Sequence, residues 1–248
     1  MSKMKKIRYA GFLLLLMPLL LGSCKKENRC DCIKRTGDII KDVRHPGNFD
    51  KVLVENNLNV FITQDSVTEV TVEAGENIAP LIRTEVVDGT LFIRNKNRCN
   101  WTRSYKKPLN VYIRMPKVTF ITSDGTGDIK SLNTITTDTL DVQTKNSGGI
   151  ELTVNNLRVL THMHGSGDVV LRGVTSEHDI SIGGTAYIYA DELQTTYTYI
   201  HTFTLGISYI RASSLLICRL DEKGDIFCYG APATVQKEQN GTGKLYLR

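Results

Sequence analysis

Short glycine-containing turns recur through the second half of this 248-residue chain at nearly constant spacing. Taking one residue of each turn as an anchor gives steps of 21, 19, 19, 22, 16 and 19 residues. The anchors are Gly127, Gly148, Gly167, Ala186, Ser208, Gly224 and Gly243. A repeat of about 20 residues is typical of units that cannot bury their own apolar edge and therefore stack on one another.

The positions that follow each anchor repeat a pattern of apolar and polar side chains. Two residues past the anchors, every side chain is apolar: Ile129, Ile150, Val169, Ile188, Ile210, Ile226 and Leu245. The positions four residues past are small or apolar, and those one and three residues past are mostly polar or amphipathic. Because successive strand side chains point to opposite faces, this pattern predicts stacked strands with an aliphatic spine inside. Glycine at each corner would serve a left-handed or a crowded backbone.

The first half of the chain also alternates apolar and polar residues, as in Val52 and Val54 or Val60 and Ile62. Asp88-Gly89, between two apolar segments, is a strong hairpin signal. We therefore predict an all-β protein: a parallel β-solenoid of about seven coils, with a β-meander or hairpin region at its N-terminal side. The β-meander or hairpin region is expected over residues 46–116, and the repeat coils are expected over residues 117–248. An antiparallel β-sandwich is the alternative, because it also has short alternating strands and turn signals.

The N-terminus has the features of a bacterial lipoprotein signal. A basic start precedes the apolar run of residues 11–21, which is too short for a stable membrane span. Leu21-Gly22-Ser23-Cys24 resembles a lipobox, in which Cys24 would receive lipid and hold the protein on a membrane. We predict a signal peptide over 1–23, a tether over 24–45 and an outer-membrane lipoprotein, with its side of that membrane left open.

The net charge limits the classes of partner, and the cysteine content bears on the cellular compartment. Beyond residue 23 the chain has 27 basic and 26 acidic side chains, so nothing in its net charge indicates nucleic-acid binding. Five cysteines besides Cys24 suit an exported protein, but their spacing does not reveal their pairing. They are Cys30, Cys32, Cys99, Cys218 and Cys228.

Aromatic residues supply the candidate ligand contacts. Tyrosines concentrate between residues 187 and 246, and Tyr187, Tyr189 and Tyr209 are expected to point outward on neighbouring coils. Tyrosine has an apolar face and a polar tip, which suits contact with a glycan or a protein, although it also simply favours strands. Trp101 lies in a basic loop that could contact anionic groups.

No pattern predicts a metal, a cofactor or a catalytic group. His162, His164, His178 and His201 are interpreted as surface residues of strands, since spacing assigns them no acidic or thiol partner. The turn residues Asp128, Asp168 and Asp225 are expected to accept local backbone N–H bonds rather than to bind calcium. The chain contains no nucleophile elbow, phosphate loop or metalloprotease helix.

Several segments resemble the head GIN domain family, which is described as putative auto-transporter adhesins. The resemblance rests on the segments Phe49–Val54, Asn59–Gln64 and Asp88–Ile93 and on the Gly-Thr-Gly-Asp and Gly-Ser-Gly-Asp turns at 125–128 and 165–168. The resemblance covers about residues 46–248. At two turns, Ala186-Tyr187 and Ser208-Tyr209 stand in place of the Gly-Asp of the family's repeated Gly-Ser-Gly-Asp motif. The resemblance implies an exported, solenoid-like protein and transfers no catalytic residue.

Three hypotheses for function follow. The first is a lipid-anchored adhesion module that binds a glycan or a protein with its outer face and has no catalytic activity. The second is an assembly component of the envelope that pairs with another protein through an end of the solenoid. The third is a carbohydrate-active enzyme, which would need carboxylates converging in one groove. Oligomeric state is not indicated by the sequence.

Overall fold

The structure of the chain is a computed structural model that describes residues 34–98 and 107–248. Residues 36–96 and 107–248 belong to one compact unit. Its one short helical segment within the described residues is the 3-10 turn Ala79–Leu81. The strands are β1 (Ile39–Arg44), β2 (Lys51–Asn56), β3 (Asn59–Gln64), β4 (Glu69–Gly75), β5 (Ile82–Val87), β6 (Thr90–Asn95), β7 (Asn110–Met115), β8 (Phe120–Gly125), β9 (Ile129–Thr144), β10 (Ile150–Met163), β11 (Val169–Gly184), β12 (Ile188–Tyr189), β13 (Leu193–Thr204), β14 (Ser208–Arg211), β15 (Leu215–Leu220), β16 (Ile226–Tyr229), β17 (Thr234–Gln239) and β18 (Leu245–Leu247).

The strands form stacked parallel coils, so the predicted β-solenoid is confirmed and the antiparallel sandwich is wrong. In β10, for example, Ile150 lies opposite Ile129 of the preceding coil and Val169 of the following one. Each coil contributes one strand segment before its glycine corner and one after it. We call the wall of segments before the corners face A and the wall of segments after the corners face B.

Face A contains, in stacking order, β5, β6, β2, β8, the C-terminal halves of β9, β10 and β11, and then β13, β15 and β17. Face B contains β1, β4, β7, β3, the N-terminal halves of β9, β10 and β11, and then β12, β14, β16 and β18. The inward side chains of both faces share one hydrophobic core.

The N-terminal region differs from the predicted meander. The hairpin at Asp88-Gly89 is confirmed, with both residues at positive φ between the antiparallel strands β5 and β6. However, β2 pairs in parallel with both β6 and β8, and β3 pairs in parallel with both β7 and β9. The first half of the chain therefore supplies further coils of the solenoid, and they stack out of chain order. Among the strands of the described residues, only β1, β4 and β5 are antiparallel additions.

Strand β1 falls inside the segment 24–45 that was predicted to be a tether. It pairs with β4 along its whole length, from Ile39 opposite Gly75 to Arg44 opposite Val70. Its polar composition misled the sequence interpretation, because an edge strand needs few buried apolar residues. The ordered unit thus begins before residue 46.

The aliphatic spine is present, with one exception in register. Ile129, Ile150, Val169, Ile188 and Ile226 occupy one inward column and are at most 1% exposed, and Leu245 continues that column partly buried. In the fifth coil the column position belongs to Ser208, while Ile210 lies in the next inward column opposite Cys228. The anchor of that coil is therefore Gly206 rather than Ser208.

The corner glycines are required by close backbone approach. A Cβ on Gly148 would overlap the carbonyl oxygen of Gly127, and one on Gly167 would overlap that of Gly148. Neither residue is among the glycines with positive φ. Of the two reasons that the sequence suggested for glycine at the corners, crowding is thus the one that applies at Gly148 and Gly167, whereas Gly184 has a left-handed backbone with φ of 77°.

The turn aspartates join successive coils, which corrects the expectation of purely local bonds. Each carboxylate accepts an N–H from the corresponding position of the next coil, at 2.8–3.0 Å. The pairs are Asp128 with Gly149, Asp168 with Tyr187, and Asp225 with Lys244. These bonds help to hold adjacent corners in register.

Both ends of the stack place charged side chains in inward columns. At one end Asp42 and Arg44 lie opposite the buried Val72 and Val70, and the Arg44 guanidinium donates to the carbonyl oxygen of Ala79 at 2.9 Å. At the other end Lys237 continues the column that holds Cys218. Inward charges on edge strands oppose the addition of further strands.

Two sets of predicted surface or structural residues lie in the core. His178 is 1% exposed, contrary to the prediction that all four histidines lie on the surface, and its Nε2 is 3.0 Å from the Thr161 hydroxyl. Cys218 and Cys228 are buried free thiols, and burial raises the pKa of each to about 11. Cys30, Cys32 and Cys99 lie outside the described residues.

Gly148 and its neighbour Gly149 provide a matched test of the corner packing. Gly148→Ala should lower the free energy of unfolding by about 2–3 kcal/mol, because its Cβ meets backbone that cannot move aside. Gly149→Ala should cost less than about 1 kcal/mol, since the nearest backbone atom, the Asp168 carbonyl oxygen, is 3.2 Å from the added Cβ. Urea unfolding measures both, and equal losses would contradict the close-approach argument.

Burial of His178 should make stability fall in acid. Desolvation lowers its pKa from 6.5 to about 3. Between these pH values the imidazole is protonated in the unfolded chain and neutral in the folded chain. The stability is fully present above pH 6.5 and falls by about 1.4 kcal/mol per pH unit between pH 6.5 and about 3. His178→Gln, which keeps a hydrogen-bonding group but cannot titrate, should lack this component. If the curves of unfolding free energy against pH for the wild type and His178→Gln ran parallel, this prediction would be refuted.

Candidate functional site

Four aromatic rings form a continuous stack on the outside of face B. Tyr189, Tyr209, Phe227 and Tyr246 lie opposite one another in consecutive coils. Their ring centroids are 5.4, 5.4 and 4.7 Å apart, and the ring planes are within 18° of parallel. We call these four residues the aromatic ladder. In-register parallel pairing places like positions one strand spacing apart, which is the spacing at which rings can stack.

Tyr187 lies beside Tyr189, one residue before the start of β12. Its ring centroid is 6.3 Å from that of Tyr189. Tyr187 is 36% exposed and Tyr189 is 37% exposed. The structure thus brings the three tyrosines singled out in the sequence together on one outer surface. Their contact with a ligand stays a prediction.

Phe227 is the member that sequence reasoning missed. The misplaced fifth anchor hid the alignment, since Tyr209 was counted one residue past Ser208. With Gly206 as the anchor, Tyr189, Tyr209, Phe227 and Tyr246 all stand three residues past their anchors. An alignment that maximised agreement between columns would have found this signal.

Cationic groups border the lower part of the ladder. The Arg248 guanidinium lies 5.8 Å from the Phe227 ring centroid and 5.9 Å from that of Tyr246. Arg211 occupies the neighbouring outward column, opposite Tyr229, and its Nε donates to the Asp191 carbonyl oxygen at 2.7 Å. Burial raises the pKa of the Tyr189 phenol, whose hydroxyl is protonated at neutral pH in any case and can donate.

Ion pairs replace the aromatic rings farther up the same face. Glu151 accepts hydrogen bonds from Lys130 at 2.8 Å and from Arg172 at 2.7 Å, and these bonds lower the pKa of Glu151. Arg172 also contacts Glu192 at 2.8 Å. The ladder therefore ends at Tyr189, which lies opposite Val170, and the outer surface changes there from aromatic to charged.

The remaining histidines lie apart from the ladder. His162 and His201 face outward on face A, in the column that also contains Ser181. His201 Nε2 is 2.7 Å from Asp221 Oδ2. Within residues 34–98 and 107–248, no three or more His, Cys, Asp or Glu side chains are grouped so that they could hold a metal ion.

Comparison with protein families places the chain. The family described as "Putative auto-transporter adhesin, head GIN domain" matches residues 48–232. The chain belongs to the head GIN domain family. Among curated proteins, the head GIN chain has no match.

Solved structures share the fold of this head GIN domain. A putative adhesin from Bacteroides fragilis has a TM-score of 0.80 at 23% identity, covering 85% of this chain and 97% of its own. A putative adhesin from Parabacteroides distasonis has a TM-score of 0.64 at 20% identity, covering 86% and 98%. A protein named as a putative lipid-binding protein, also from Parabacteroides distasonis, has a TM-score of 0.68 at 17% identity, covering 86% and 97%.

The structure explains how this head GIN domain departs from the Gly-Ser-Gly-Asp motif. At 186–187 the motif's Gly-Asp is Ala-Tyr, and Tyr187 points outward where three other coils carry aspartate. In the fifth coil the aligned pair is Gly206-Ile207, so the glycine is retained and only the aspartate is replaced. The two departures bring aromatic and apolar side chains to the surface next to the ladder.

Two predicted functional residues, Cys24 and Trp101, lie outside the described residues. No helix in the described part of the chain is long and apolar enough to cross a membrane.

Proposed function

We propose that this head GIN domain is a non-catalytic adhesion module, held at the outer membrane by lipid on Cys24, whose aromatic ladder binds a protein partner. The family and the shared fold support the adhesin class. The observation that carries the choice of surface is the four-ring stack with its bordering arginines.

The stacking favours a protein over a sugar as the partner of the ladder. Sugars pack against the faces of aromatic rings, but the faces of Tyr209 and Phe227 are covered by their neighbours above and below. The ladder therefore presents ring edges and hydroxyl groups. Tyrosine and arginine are, with tryptophan, the side chains enriched in the energetic centres of protein interfaces. Because stacking already restricts the rings, they lose little conformational freedom on binding.

The lipobox supports attachment through the N-terminus. Cys24 precedes the first residue of β1 by 15 positions, a length that spans at most about 50 Å when fully extended. A lipid on Cys24 would thus keep the solenoid near the membrane while leaving the ladder free to meet a partner. One acyl chain binds membranes weakly, so stable attachment requires more than one.

Cys24→Ala tests the anchor. The variant should lose incorporation of an alkyne-labelled fatty acid and move from the membrane fraction to the soluble fraction, because the acylated thioether cannot form. A variant at a cysteine of the core, Cys218→Ala, should keep the label and serves as the control. Retention of label by Cys24→Ala would disprove lipidation at this residue.

Site-specific photocrosslinking in intact cells tests the ladder. A benzoylphenylalanine at position 209 should give a discrete crosslinked protein band, since it stands within the proposed interface. The same probe at position 197, a 43% exposed tyrosine on face A, is the matched control and should give none. Absence of a band from position 209, or the same band from both positions, would contradict the proposal.

A further inference from the structure

Face A, the wall opposite the aromatic ladder, has an outward groove of about 340 Å³. It is centred on Ser181, whose small side chain lies between His162 of the preceding coil and His201 of the following one. This column of side chains therefore has a gap at Ser181, because the positions on either side of it carry imidazole rings. The polar and aromatic residues that line the groove are His162, Asp179, Ser181, Tyr199, His201 and Arg219.

Tyr199 differs from the ladder tyrosines in its ring environment. Its neighbours in the column are Asp179 and Ile217, neither of which is aromatic. Among the described residues, no aromatic ring stacks on it, whereas Tyr209 is stacked on both sides. Tyr199 thus lines the groove with a half-buried ring that is not part of an aromatic stack.

Ion pairs outside the groove hold its polar side chains in place. Arg158 donates to Asp179 Oδ2 from Nε at 3.0 Å, and the other oxygen, Oδ1, has no hydrogen-bond partner among the described residues. Arg219 Nε donates to Asp221 at 3.0 Å, which leaves its terminal nitrogens available as donors. Asp221 also lies 2.7 Å from His201 Nε2. These bonds lower the pKa of Asp221 well below its usual range.

We propose that this groove is a binding site for one neutral sugar ring. The combination of an unstacked aromatic ring with oriented carboxylate, guanidinium and imidazole groups suits a ligand with several hydroxyl groups, each able to donate and accept. Asp179 and Arg219 balance in charge, so the groove has no preference for an ionic ligand. The inference does not depend on the function proposed for the ladder, which lies on the other face.

The groove is built for binding a sugar rather than for cleaving it. Glycoside hydrolysis uses two carboxyl groups about 5–10 Å apart on either side of the scissile bond. Asp179 is the single carboxylate in the lining of this groove, and Arg158 neutralises it from behind. The third hypothesis from the sequence, a carbohydrate-active enzyme, finds no support at this site.

Saturation-transfer NMR with simple methyl glycosides tests the site. The probes are the methyl glycosides of glucose, galactose, mannose, fucose and N-acetylglucosamine, each at roughly 10 mM to suit the weak binding of small ligands. At least one should receive saturation from the wild-type protein. Tyr199→Ala should weaken its binding by about tenfold or more, because the stacking surface is removed.

Matched variants locate the effect in the groove. Tyr197→Ala removes another outward tyrosine of β13, two residues away and outside the groove lining, and should bind as the wild type does. Ser181→Phe should abolish binding by filling the gap, and its melting temperature shows whether it folds. Lack of saturation transfer to every glycoside, or binding retained in both Tyr199→Ala and folded Ser181→Phe, would overturn the proposal. Equal loss in Tyr197→Ala would also overturn it. Crosslinking from position 209 is read on face B and is independent of these results.

Discussion

Close backbone contact between successive glycine corners is the constraint on which this structure depends. At Gly148 and Gly167 the carbonyl oxygen of the preceding coil occupies the space that a Cβ would need. The corners can therefore stack at the spacing of hydrogen-bonded strands, and the coils on either side can pair in register. The aspartate bonds between corners act in the same direction, since each joins one coil to the next.

In-register stacking then determines what every surface of the molecule is made of. Each residue meets the corresponding residue of the coils above and below, so a substitution in one coil changes a column rather than an isolated position. One outward column of face B holds the stacked rings of Tyr112 and Phe61, then the ion pair of Lys130 and Glu151, and then the aromatic ladder. On face A, the single small residue Ser181 between His162 and His201 opens a groove. The aromatic ladder and the groove at Ser181 therefore both arise from which side chains occupy one column of the stacked coils.

The sequence predicted the solenoid because its repeat is local and periodic. Strand alternation and glycine spacing are visible over any 20 residues, and the aliphatic column at Ile129, Ile150 and Val169 was correctly assigned. The same local reasoning failed where the period changes. It placed Ile210 in the column that Ser208 occupies, and it overlooked Phe227 for the same reason. It also assigned β1 to a tether and His178 to the surface, because polar residues are tolerated at an edge and in a hydrogen-bonded core position.

What the amino-acid sequence determined by itself is the unit: a strand, a glycine corner and a second strand with one apolar side. Those properties are short-range, since they follow from backbone sterics and from which side chains avoid water. Tertiary structure alone decided that β2 and β3 are inserted between coils that follow them in the chain, that tyrosines 20 residues apart stack, and that a groove forms around Ser181. These features depend on which coil lies against which, and that pairing joins residues far apart in the chain whose contact leaves no local pattern.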